Sequence, residues 1–348
     1  MINTLFIGYQ YGYGNPEFGE SLDVEIFVNS ISKIEGVNAS FFPIDDIVDV
    51  EINLKEHLEN NKYDILLFNL ISNELSENLL SFLFTNYKTV NWFGDDQWRF
   101  YDFSLKYAPY FKYIITTDKF KLNEYRTRGY ENVILSQWAA ISLISKLDKV
   151  DYLYDISFVG SYSLNREFVV EYLKSNGFKV FVFGNGWNKT VPVNEMNEIM
   201  MKSKINLNLS NSVPNSFEYL NYLIVIFKKS IISLMKLNFK ASLKLFIKFL
   251  RGVKFLAYDK TDEQIKARNF EIPSNFGFQI SKYALGIEDY YEVGKEIVVY
   301  NSLKELKVLC NYYLNNENER LAILNASYKK TFNHTYTERF KKILNDIN

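Results

Sequence analysis

The chain has 348 residues and a mass of 41.0 kDa, enough for about two domains at ~150 residues each. Hydrophobic residues make up 47% and charged residues 23%, which excludes a largely disordered chain. With 40 Lys and Arg against 41 Asp and Glu, one cysteine (Cys310) and two histidines (His57 and His334), the composition points away from a nucleic-acid binder and excludes an intramolecular disulfide or a Cys-rich zinc site.

The start, Met1-Ile2-Asn3-Thr4, lacks the basic opening and apolar run of a signal peptide. No stretch approaches the ~20 apolar residues that span a bilayer. The expected location is the cytoplasm. Thr4–Gly8 is a predicted buried strand, followed by the glycine- and tyrosine-rich loop Tyr9–Gly19. Apolar residues at near-helical spacing predict a helix over Ser21–Ile34. Further strands are expected at Ala39–Phe42, Asp64–Asn69, Thr89–Phe93, Tyr113–Thr117 and Asn132–Ser136, with helical patterns between most of them. A second series follows, with strands at Asp155–Val159, Lys179–Phe183, Ile205–Leu209, Phe278–Ile280 and Ile297–Tyr300. Helices are expected at Arg166–Asn176, Gln264–Ile272, Leu303–Leu314 and Glu319–Phe332. Such alternation predicts parallel βαβ units and doubly wound sheets. Lys146–Asp151, charged and aperiodic, reads as the linker. The expected domains are 1–145 and 151–330, then a C-terminal helix over 331–348 with the N-terminal domain as its candidate packing partner.

Tyr219–Tyr258 breaks the pattern, with eight basic residues and no acidic one. Lys236, Lys240, Lys244 and Lys248 recur every four residues, with Leu237, Phe239, Leu243, Phe246, Ile247 and Leu250 between them. That is a basic amphipathic helix, inserted in the second domain, and a candidate peripheral contact with an anionic membrane surface. The alternative is a helix docked on the protein with its lysines solvated.

Gly160-Ser161 and Gly184-Asn185-Gly186-Trp187 each follow a strand of the second series. Ligands of open parallel sheets sit beyond the carboxyl ends of strands, where glycines let backbone amides approach a phosphate. Trp187 is either a stacking partner for a base or a core residue. Lys266, Arg268 and Glu271 suit a nucleotide diphosphate: the cations grip the pyrophosphate and the acid accepts from ribose hydroxyls. An intrahelical Arg268–Glu271 pair is the plainer alternative. In the first series, Asn91-Trp92-Phe93-Gly94-Asp95-Asp96-Gln97-Trp98-Arg99 follows a strand. Asp95 and Asp96 are candidate bases, and Trp92 and Trp98 could stack on a sugar. Asp95 could equally cap the next helix, and Arg99 pair with a neighbour.

Together, Phe158–Ser161, Gly184–Trp187, Lys266–Pro273, Phe278–Ile280, Glu288–Glu292, Gly294–Val298, His334–Tyr336, Tyr11–Gly14, Trp92–Phe100 and Ser136–Ala140 resemble the CgeB-like (spore-maturation-type) glycosyltransferases of the family-1 superfamily. The resemblance covers nearly the whole chain except the basic insertion. It implies a GT-B fold of two Rossmann-like domains facing a central cleft, with a nucleotide-diphosphate sugar in the second domain and no metal or other cofactor. The expected reaction is sugar transfer to a glycan, lipid-linked or protein acceptor in surface polysaccharide or glycoconjugate synthesis, retaining or inverting. The resemblance assigns donor binding to Gly160, Lys266, Arg268 and Glu271, with Arg166 added from the first helix of that domain. Ser161, Gly184 and Trp187 complete the donor set, and Gly12, Tyr13, Trp98 and Arg99 form the acceptor side. Where the family carries small residues after the proline, this chain has Ser274-Asn275-Phe276-Gly277, so Asn275 and Phe276 are expected to crowd the donor loop. Two other readings stay open: a non-catalytic carbohydrate-binding protein of the same fold, and a nucleotide-sugar epimerase.

Overall fold

The computed structural model describes the chain except residues 46–48, 142, 145–150, 188–190, 213–216, 258, 259, 261 and 348. It folds as two units, Met1–Ser142 with Asn333–Asn348, and Leu143–Phe332.

In the first unit, β1 (Ile2–Gly8), β2 (Val37–Pro43), β3 (Ile65–Phe68), β4 (Thr89–Phe93), β5 (Tyr113–Thr116) and β6 (Val133–Leu135) form one sheet in the order β2-β1-β3-β4-β5-β6. Every pairing is parallel. Strands such as Ile65–Phe68 are buried at all positions, because helices cover both faces of a parallel sheet. One face packs against α1 (Val50–Asn60), α2 (Glu77–Asn86) and α3 (Lys119–Thr127). On the other, Phe27, Trp92 and Ile115 meet Phe340 and Ile343.

The second unit has β7 (Tyr154–Val159), β8 (Val180–Phe183), β9 (Ser203–Asn208), β10 (Gln279–Lys282) and β11 (Val298–Tyr300), all parallel, in the order β11-β10-β9-β7-β8. Its helices are α4 (Leu164–Ser175), α5 (Val193–Met201), α6 (Phe217–Met235), α7 (Phe239–Phe255), α8 (Arg268–Ser274), α9 (Leu303–Asn315) and α10 (Glu317–Thr331). The last helix of the chain, α11 (Tyr336–Ile347), belongs to the first unit. The chain winds outward in both directions from β1/β3 in one sheet and from β7/β9 in the other. Those are the points where loops leaving adjacent strands diverge and a crevice opens.

Three segments differ from the sequence expectation. Over Ser21–Ile34, a short α-turn at Leu22–Val24 passes into a π-turn at Glu25–Asn29. The Ser30 hydroxyl and amide both bond the Glu25 carbonyl, which holds the wider turn. The helix expected at Gln264–Ile272 starts only at Arg268 and runs through Pro273. The Asn269 side chain accepts from the Lys266 amide at 3.0 Å, which leaves residues 264–266 outside the helix. Proline removes the bond to the carbonyl four residues back, that of Asn269. Gln279 Nε2 and the Tyr291 hydroxyl donate to that carbonyl instead, at 2.8 and 2.9 Å. The basic stretch is a hairpin of two helices, α6 and α7, broken at Leu237, whose φ is +57°, and at Asn238, which caps α7 through the Ala241 amide. Gly252 lets α7 approach closely: a Cβ there would lie 2.3 Å from Leu223 and 2.6 Å from Leu164.

Candidate functional site

At the β7/β9 divergence, Arg166 projects from the first turn of α4, which Ser163 caps. Its guanidinium donates to the carbonyls of Ser161 (2.8 Å) and Leu209 (3.1 Å), so the turn after β7 and the end of β9 hold it. Arg268 comes from the start of α8 and reaches the Val159 carbonyl at 3.5 Å. It also pairs with Glu271, one helical turn on. Burial, and then the charge of Arg268, lower the pKa of Arg166 to about 10. Two guanidinium groups sharing a partly desolvated place favour an anion between them.

Arg166, Lys266 and Arg268 line one cavity of about 90 Å³, together with Lys260, Ser210 and Glu263. A second cavity of about 300 Å³ shares Arg166, Ser210, Glu263 and Lys282 with it and extends past Tyr300 to the capped start of α9. Lys282 and Glu263 pair at 2.6 Å, and Glu263 also accepts from the Ser210 hydroxyl. Sequence reasoning missed Lys260, Lys282 and Ser210. Lys282 was two residues beyond the expected end of its strand, and strand ends are where such sites lie.

The other donor-side candidates are placed differently. Ser161 presents its backbone carbonyl to Arg166, Gly160 packs against Gly184, and neither lines either cavity. Gly184 has φ +121°, and a Cβ there would lie 2.5 Å from the Gly160 carbonyl oxygen, so this glycine lets two strand-end turns touch. Trp187 packs edge-to-face on Phe158 and Tyr162, outside both cavities. Glu271 is buried beneath Arg268. The expected crowding by Asn275 and Phe276 does not occur. Phe276 is in the core against Tyr328, despite a φ of +54°, and the Asn275 amide donates to the Glu271 carbonyl.

In the first unit, Asp96 corrects the sequence expectation. It is fully buried and accepts hydrogen bonds from Thr116 and from Tyr125, the latter at 3.3 Å. Burial raises its pKa to about 7. It is a polar core residue at the end of β4, closed to an acceptor. Trp92 is likewise a core residue, against Phe27 and Phe340, and offers no ring to a sugar. Asp95 is half-buried, and its carbonyl opens the one-turn helix Asp96–Arg99. The Arg99 guanidinium lies 3.9 Å above the Phe103 ring and 5.6 Å from that of Trp98, and donates to the Ile71 carbonyl at 2.5 Å. Gly12 bonds the Gly19 carbonyl, and Tyr13, at φ +54°, is 79% exposed on the loop after β1. Asp45 pins that loop by accepting from the amides of Gln10 and Tyr11. Sequence reasoning also missed Asp23, at the β1/β3 divergence, which accepts from Asn69 at 3.2 Å. Burial, and to a lesser degree Glu74, raise its pKa, to about 6. In the sequence it was only an acid in a helix's first turn.

Residues 229–345, a third of the chain, match a family described as glycosyl transferase-like. Two parallel-sheet Rossmann-like domains match solved GT-B glycosyltransferases. HepE of Anabaena, solved with UDP-glucose, aligns over 99% of both chains with a TM-score of 0.60 and 9% identity. The DNA-modifying β-glucosyltransferase aligns over 99% of both with a TM-score of 0.55 and 13% identity. TarM, which is also solved from S. aureus with UDP, matches 87% of this chain at a TM-score of 0.52 and 10% identity, and this chain spans 59% of it. No curated protein matches the chain. At these identities the likeness establishes the fold, not the substrates.

Proposed function

We propose that the protein is a glycosyltransferase that takes a sugar from a nucleotide diphosphate, with uridine as the first base to test, and passes it to a glycan, lipid-linked or protein acceptor. The observation that carries this is the convergence of Arg166, Lys266 and Arg268 on one cavity at the β7/β9 divergence. Partial support comes from the family match to residues 229–345 and from the UDP-glucose bound by HepE. In this reading the three cations offset the charge that builds on the leaving diphosphate, often the largest single catalytic contribution. That makes the transfer independent of a metal, and chelator treatment should leave turnover unchanged. Glu271 holds Arg268 in place, and releases it in part when the diphosphate arrives. Asp95 remains the acceptor-side base if configuration inverts. The departure at Asn275-Phe276, which suggested a non-catalytic relative, lies in the core and does not favour that reading.

The test is calorimetric titration with UDP. A hydrogen bond to a charged group contributes about 1.5–3 kcal/mol, so Arg268→Ala and Lys266→Ala should each weaken binding by roughly 10- to 150-fold. Unchanged affinity in both variants refutes the site. We also propose that the α6–α7 hairpin rests on an anionic membrane face. Met235, Leu237 and Phe239 at its turn are 78%, 75% and 63% exposed. None of the described helices is long and apolar enough to cross a membrane. In this reading the enzyme works at the inner, cytoplasmic face of that membrane, in surface polysaccharide or glycoconjugate synthesis.

A further inference from the structure

The second unit holds another cavity, larger than the two that Arg166 lines. A groove of about 1010 Å³ runs between α7 and the turns that follow β7 and β8. Lys240, Lys244, Lys248, Arg251 and Lys254 of α7 line it. At 3.6 residues per turn these five fall on one face of the helix. The opposite face, with Leu245 and Phe249, packs into the core of the unit. Across the groove lie Tyr162, Ser163 and Gly186. Its one carboxylate, Glu167, is already engaged, by Lys248 at 2.7 Å and by the Tyr162 hydroxyl at 2.7 Å. The remaining four cations face the groove with no second acid among its described lining residues. Like charges held this close repel one another, and a polyanion relieves that.

The groove is not only charged. Leu164, Leu243, Ile247 and Phe255 also line it. Beside the basic face of α7 runs a second, apolar stripe that the described residues of the unit leave exposed: Phe239, Leu243, Leu250 and Val253 are 63%, 60%, 48% and 43% exposed. A free inorganic or nucleotide phosphate would use the cations and leave this stripe in water. A phosphate joined to a hydrocarbon chain would use both.

We propose that the groove binds the phosphate or diphosphate head of an amphiphilic lipid, with the chain laid along the apolar stripe of α7. Its role as the carrier of the acceptor sugar rests on the glycosyltransferase reading; the binding itself does not. Farnesyl diphosphate is a soluble probe of this chemistry, and inorganic pyrophosphate and farnesol supply its two halves. By calorimetry on the full chain, farnesyl diphosphate should bind at least tenfold more tightly than pyrophosphate, and farnesol more weakly than either. The double variant Lys244→Ala/Arg251→Ala should lose at least 30-fold in affinity, whereas Lys244→Arg/Arg251→Lys, which keeps the charge, should stay within threefold. UDP affinity should be unchanged in both, which also reports that they fold. Equal affinity for farnesyl diphosphate and pyrophosphate would make this a plain anion site and overturn the proposal, as would an alanine variant that binds normally. A wild type that binds farnesyl diphosphate but no UDP would sink the donor site and leave this one standing.

Discussion

Replacing Asp96 by Asn separates a structural acid from a catalytic one. The carboxyl is fully buried among Thr116 and Tyr125, and its pKa rises from 3.8 to about 7, chiefly through burial. The folded state therefore holds this proton more tightly than the unfolded chain does. The stability it confers is complete below about pH 4 and is lost as pH rises towards 7. Roughly three pKa units at 1.36 kcal/mol each come to about 4 kcal/mol, spread over that window. Asn has the same shape, can accept the same two hydrogen bonds, and never ionises. The difference in urea-unfolding free energy between variant and wild type should therefore climb in favour of Asn by about 1 kcal/mol per pH unit from pH 5 to 7, then level off. Subtracting wild type cancels the other titrating groups, including Asp23. Sugar-transfer turnover should stay within threefold of wild type. Parallel stability profiles would refute the buried, proton-holding Asp96, and a variant that folds normally but has lost turnover would restore it as a base.

Further outcomes test the frame and the surfaces. Gly184→Ala should destabilise by several kcal/mol in urea unfolding, because φ is +121° and the new Cβ would meet the Gly160 carbonyl at 2.5 Å. Gly252→Ala should cost about 1–3 kcal/mol, since the added methyl strikes Leu223 and Leu164; a neutral result would mean that α7 is not seated closely on α6 and α4. Met235→Glu/Leu237→Glu should abolish sedimentation with anionic vesicles while leaving the melting temperature unchanged, because both side chains are exposed. Asp23→Asn should cut turnover by at least tenfold without weakening UDP binding if the carboxylate at the β1/β3 divergence serves the acceptor.

Much of the architecture was legible in the residues. A run such as Ile65-Leu66-Leu67-Phe68 has no polar face to give to water, so it could only be a strand covered on both sides. The alternation of strands with helices pointed to the parallel sheets, and Lys266 and Arg268 with Glu271 stood out as a set suited to a diphosphate, with Arg166 beside them on the first helix of the second domain. Local pattern could not say which polar residue turns inward. Asp95 and Asp96 are adjacent and chemically identical, yet only Asp96 meets Thr116 from β5 and Tyr125 from α3. Pro273 reads as a helix stop until Gln279 and Tyr291, distant in sequence, take over the Asn269 carbonyl. Asn275 and Phe276 look like obstacles until the core of the second unit accepts them. Periodicity is a property of neighbours along the chain, whereas burial and hydrogen-bond partners depend on what the other elements bring to the same place, and that only tertiary packing decided.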